Sequence, residues 1–193
     1  GRLWRRRRIG RLVSMNTQAP HQPSAAPAAA SAPADSAAYQ VIEQYLSQPV
    51  LDRLQATINA SEQRHTGQLL LCIEETLSPE ELQRYATPRE RALALFGELR
   101  AWDTEDNNGA LLYLLLDRHA IELIADRALF RCVEPNCWNT ITTQLATALR
   151  TQQYESGLQT ALAQISDVLI AHFPAKAHTP RDNTVADAPV LLR

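Results

Sequence analysis

Between residues 48 and 174 the apolar positions follow a few clean rhythms, and these predict the elements. Ser47 stands where a helix cap belongs and Pro49 falls in the first turn. Val50, Leu51, Leu54 and Ile58 then recur on one helical face. Thr66-Gly67 stops that region. Leu69 to Ile73 is an unbroken apolar run, as expected of a strand covered on both faces. Ser78-Pro79-Glu80-Glu81 and Thr87-Pro88-Arg89-Glu90 each set a cap, a proline and a third-position glutamate in helix-opening order. The first opens a short helical turn. The second opens a helix buried through Ala92, Leu95, Phe96 and Leu99.

A second apolar run, Ala110 to Leu116, follows the loop Asp103-Thr104-Glu105-Asp106-Asn107-Asn108-Gly109. A third, Ala120 to Ala125, comes after only Asp117-Arg118-His119, so these two strands must form an antiparallel hairpin. Helices from near Pro135 and near Glu155 close the pattern, burying Trp138, Ile141, Leu145 and Leu149, then Leu158, Leu162, Ile165, Val168 and Leu169. Strands buried on both faces need helices on both sides. The order therefore predicts an α/β fold, a three-layer α/β/α sandwich with a small mixed sheet. The first two strands, joined through helices, should be parallel.

The flanks read differently. In residues 16–38, 17 of 23 residues are Ala, Pro or Ser, too poor in large apolar groups to offset ordering. Residues 1–47 are therefore expected to be a disordered leader, and 175–193 a disordered tail in which Val190-Leu191-Leu192 frays. Six of the 19 basic residues lie in positions 1–14, ahead of Met15, the only methionine. That stretch reads as an extension upstream of the native start. The rival reading, a basic targeting arm, lacks the apolar segment that should follow its arginines. The remainder carries 13 basic against 21 acidic residues, a net charge of −8, and so no footprint for nucleic acid. No apolar run is long enough to span a membrane. Three cysteines without metal-site spacing fit neither a disulfide scaffold nor zinc. A cytoplasmic protein is expected.

Candidate chemistry follows from the hairpin. Folding it about Arg118-His119 sets Asp126 opposite Leu111, and shifting the turn by one residue sets it opposite Gly109. Either register brings Asp126 and Arg127 to the Asp106-Asn107-Asn108 loop, with Gln68 at the same edge. Asp103, Glu105, Asp106, Asn108, Asp126 and Gln68 form a set of hard oxygen ligands suited to Ca2+ or Mg2+, and no organic cofactor is implied. The spacing of an EF-hand is absent. The same residues also serve turns for local backbone reasons, and both readings stand at this level. A second polar cluster, Glu74-Glu75 with Asp117 and His119, belongs to the opposite edge.

The order of segments resembles the TPM domain family. The likeness is carried by His65-Thr66-Gly67-Gln68, Arg91-Ala92 through Phe96, Thr104, and Asn108-Gly109-Ala110-Leu111-Leu112-Tyr113. It continues through Ile124-Ala125-Asp126-Arg127, Trp138, Gly157-Leu158 and His172-Phe173-Pro174. The resemblance implies a soluble α/β/α sandwich that binds calcium or a related ion. It further implies a binding or assembly role toward a membrane-associated, LemA-like partner, or phosphatase-like hydrolysis of phosphate esters. The family usually has glutamate where Gln68 stands, arginine at Asn107 and glycine at Ala128.

Overall fold

The computed structural model describes residues 13–15, 37–175 and 188–193. The expectations of disorder for 1–12, 16–36 and 176–187 lie outside the described residues. Two helices lead in, α1 (Ala37–Tyr45) and α2 (Gln48–Glu62), followed by β2 (Leu69–Glu74), α3 (Pro79–Arg84) and α4 (Pro88–Glu98). The hairpin β3 (Ala110–Leu115) and β4 (Ala120–Ala125) comes next, then α5 (Arg127–Cys132), α6 (Pro135–Arg150) and α7 (Tyr154–His172). Short strands β1 (Val13–Met15) and β5 (Val190–Leu192) flank the whole.

The caps act as the sequence indicates. Ser78 and Glu81 form a full capping box on α3, and the Thr87 hydroxyl accepts the Glu90 amide at 3.2 Å to start α4. The sheet runs β1-β4-β3-β2-β5, with β2 parallel to β3 and to β5 and the two remaining pairs antiparallel. It is mixed, as expected. Strand alternation divides the core. Leu69, Leu71, Ile73, Ala110, Leu112, Leu114, Leu123 and Ala125 face α1, α2, α5, α6 and α7. Leu70, Cys72, Leu111, Tyr113, Leu115 and Ile124 face Leu77, α4 and Ala101. The result is the α/β/α sandwich. No helix among the described residues is long and apolar enough to cross a membrane.

Three elements correct the expected leader and tail. Residues 37–45 form α1, whose Ala38 and Ile42, with Leu46 beyond its end, sit in the main core at four-residue spacing. Residues 13–15 pair with β4, and 190–192 pair with β2 rather than fraying. Both strands are three residues long, too short to carry a period.

The hairpin register places Ala110 opposite Ala125, so the alternative with Asp126 facing Gly109 is the one adopted. The Asp126 amide donates to Gly109 O at 2.8 Å, and the Ala110 amide donates to Gln68 O at the same distance. These bonds draw the start of β3, the end of β4 and the start of β2 to one edge.

Candidate functional site

The loop between α4 and β3 is shaped by its own short polar side chains. Asn107 adopts φ 52°, a left-handed conformation that asparagine tolerates better than most residues. Asn107 O accepts the Ala128 amide at 3.0 Å, and the Asn108 amide donates to Thr104 Oγ1 at 3.0 Å. The loop is thereby pinned to α5 on one side and to itself on the other.

Thr66 links two of the expected ligands. Its hydroxyl donates to Asp106 Oδ2 at 3.0 Å and accepts from Asn108 Nδ2 at 3.0 Å. Asn108 is fully buried, yet its Oδ1 has no hydrogen-bond donor. An amide oxygen in that state costs about 1–3 kcal/mol unless something satisfies it. Asp126 is also nearly buried, caps α5, and accepts the Arg127 amide at 2.6 Å. Burial raises its carboxyl above the ordinary aspartate range, against the lowering effects of the Arg127 amide and the Arg127 charge.

The other expected ligands are placed elsewhere. The Asp103 carboxylate pairs with the Arg100 guanidinium, and Glu105 is exposed. Gln68 Nε2 donates to Glu62 Oε1 at 2.7 Å, where the Leu69 amide also donates at 3.0 Å. The edge thus joins Asp106 to Asn108 through Thr66, and backbone register sets Asp126 opposite Gly109, the next residue along. No group of three or more His, Cys, Asp or Glu side chains among the described residues is placed to hold a metal ion. An ion here would rest on two carboxylates supplemented by neutral oxygens, a donor set that suits a hard cation. In the sequence Thr66 stands as a helix stop and within the His65-Thr66-Gly67-Gln68 likeness, and nothing in its local pattern marks it as a bridge.

The second polar cluster separates. Glu74 turns into the α4 face, where Arg91 holds it through Nε at 3.1 and 3.2 Å and Nη2 at 2.8 Å, and the Tyr113 hydroxyl donates to it at 2.5 Å. Asp117 accepts from Thr76 at 2.9 Å, and His119 Nδ1 lies 2.9 Å from Leu116 O, both local turn contacts. Buried His65 bridges Gly67 O and Ser61, and Ser61 donates to Ser166 at 2.6 Å, tying α2 to α7. Burial pushes the Cys72 thiol up to about 12, so it stays protonated and packs as a small apolar group.

Glu122 and Arg89 were not singled out by their sequence pattern. They lie 3.9 Å apart on the α4 face, and Glu122 Oε2 and Arg89 Nη1 are both buried without a hydrogen-bond partner. Burial raises the Glu122 carboxyl to about 7, with Arg89 only partly opposing. An acid whose folded pKa lies above its unfolded value binds more protons when folded. Its contribution is fully present below about pH 4.5 and is lost as pH rises through 7. Glu122→Gln should therefore raise the thermal midpoint at pH 8 and flatten this slope, as calorimetry across pH 4.5–8 would reveal; an unchanged slope would mean Glu122 titrates normally.

The family model for the TPM domain matches residues 41–168. The NMR structure of the BA42 protein from the psychrophilic bacterium Bizionia argentinensis is similar in fold, with a TM-score of 0.66 and 18% identity. It covers 78% of this chain and 97% of that one. No curated protein matches the chain.

Proposed function

The chain belongs to the TPM domain family, and on that premise we propose that it is a binding module whose loop edge takes up calcium or magnesium and presents that edge to a membrane-associated partner. The observation that carries this reading is the fully buried, unpartnered Asn108 Oδ1 beside the Thr66–Asp106 bond. A hard cation supplies what that oxygen lacks. Asp106, Asn108 and Asp126 would hold it, with Thr66 orienting the first two. Its charge would offset two carboxylates and fix the loop against α5, turning an irregular connection into a defined docking surface.

Thermal unfolding tests this directly. Ion at about 100 times its Kd contributes about 2.7 kcal/mol, a midpoint increase of several degrees for a domain of this size. Asp126→Asn is a suitable control because asparagine caps helices as well as aspartate, so the fold should lose little while the ion response shrinks. If neither ion moves the midpoint, the cation reading fails.

A hydrolase reading draws on one further observation, the exposed Arg127 directly after Asp126. In that reading the ion supplies Lewis acidity toward a phosphoryl oxygen and Arg127 steadies the phosphate. Turnover of a generic phosphate ester that disappears in Asp126→Asn would favour it. Turnover insensitive to that change would place the activity elsewhere.

A further inference from the structure

Among the described residues, the outer edge of β2 is covered only by β5. Three rungs join them, Cys72–Val190, Ile73–Leu191 and Glu74–Leu192, and the Glu75 amide donates to Leu192 O at 2.9 Å. By comparison, six rungs join β2 to β3. Val190 and Leu192 pack into the α4-side cluster and Leu191 into the other, and all three are partly buried. Arg193 then reaches α1, where its guanidinium meets Glu43 at 3.1 Å and lies 5.8 Å from the Tyr39 ring centre. Backbone ladder, apolar sockets on both faces and an acidic-aromatic clamp are the parts of a strand-addition site.

The length of chain before β5 exceeds what its docking requires. The Thr66 amide donates to Phe173 O at 2.8 Å and the Ala175 amide to Arg64 O at 3.0 Å, fixing the exit of α7 near the foot of β2. Opposite Cys72, β5 begins about 20 Å farther along, at roughly 3.3 Å per strand residue. Residues 176–189 can reach about 45 Å when extended, more than twice that span. Chain length therefore does not by itself fix β5 in this register, and the three rungs and the Arg193–Glu43 pair hold it there.

We propose that the β2 edge is an acceptor for an extended apolar segment followed by a basic residue, added parallel to β2, and that β5 is its resident occupant, exchangeable for such a segment from a partner protein. Leaving the edge bare would expose unpaired amides beside fully buried Cys72 and Ile73, so a strand is always needed there, and the chain carries its own.

The test uses the full chain with Leu192→Asp, which undocks β5, titrated by NMR with the free peptide spanning residues 188–193. Shifts should localise to Cys72–Glu75, Tyr39 and Glu43, with apparent affinity at least tenfold above that of the wild type, whose β5 competes. The same peptide carrying Arg193→Glu should bind more weakly. Binding to neither protein, or equal binding to both, overturns the proposal. Hydrogen exchange on the wild type serves if the variant does not fold. The Glu75 amide should exchange at least a hundredfold faster than the β2–β3 ladder, and equal protection would make β5 a fixed strand and overturn the proposal as well.

Discussion

Replacing Arg91 with alanine should cost about 3–5 kcal/mol of folding stability, because it strands a buried carboxylate. Glu74 is 2% exposed and Arg91 6%. Among the described residues, Arg91 is the only cation hydrogen-bonded to Glu74, and the Tyr113 hydroxyl adds to it. Arg91 also meets Glu81 at 2.9 Å and Glu98 at 3.6 Å, and lies over the Tyr85 ring, so one side chain joins β2, α3 and α4. The three glutamates raise its pKa against burial, the largest opposing effect, and it stays charged throughout the accessible range. Arg91→Lys should recover only part of the loss, since an ammonium cannot match the forked contact. Glu74→Met with Arg91→Leu should recover most of it by removing both charges together. Urea unfolding measures all three. A cost for Arg91→Ala under about 1 kcal/mol would mean that water still reaches the Glu74 carboxylate.

Gly109→Ala should cost about 3 kcal/mol or more, and here the reason is space rather than dihedral freedom. A Cβ on Gly109 would come within 1.8 Å of Ala101 O and 2.9 Å of Ala101 C, both backbone atoms that cannot rotate away. The strand start would have to move, and with it the bond from the Asp126 amide to Gly109 O. Asp126 would then lose the register that sets it opposite Gly109. Gly97 gives the matched contrast, being helical, exposed and clear of any atom within 4 Å of an added Cβ. Gly97→Ala should raise stability by roughly 0.5–1 kcal/mol through helix propensity alone. Thermal melts of the pair decide it. Similar small effects from both would show that the loop yields easily at Gly109.

The sandwich was legible because its strongest signals are local and redundant. Ser78 and Thr87 stand at caps with glutamates three residues on, and β2 and β3 read as unbroken apolar runs because both of their faces are covered. Hairpin arithmetic then brought Asp126 to the loop. What escaped depends on partners distant in sequence. α1 hides at the end of an Ala-, Pro- and Ser-rich stretch, and Ile42 and Leu46 become core only where α1 meets the sheet. α5 is six residues long, and its cap, Asp126, read first as a ligand. β5 has no period of its own and exists because β2 has an edge to cover. In the candidate site, Glu62 claims Gln68, and nothing about a glutamate at a helix end announces that. Thr66 and the lone Asn108 oxygen emerge only when residues some forty positions apart come together.

The expected ligands at the loop edge face one question, whether an ion sits between the Asp106 loop and Asp126. A crystal structure grown with millimolar calcium answers it most directly. The expected result is density within about 2.3–2.6 Å of Asp106, Asn108 Oδ1 and Asp126 oxygens. An unchanged loop with an ordered water donating to Asn108 Oδ1, and no ion at Asp106 or Asp126, would contradict the cation-binding reading.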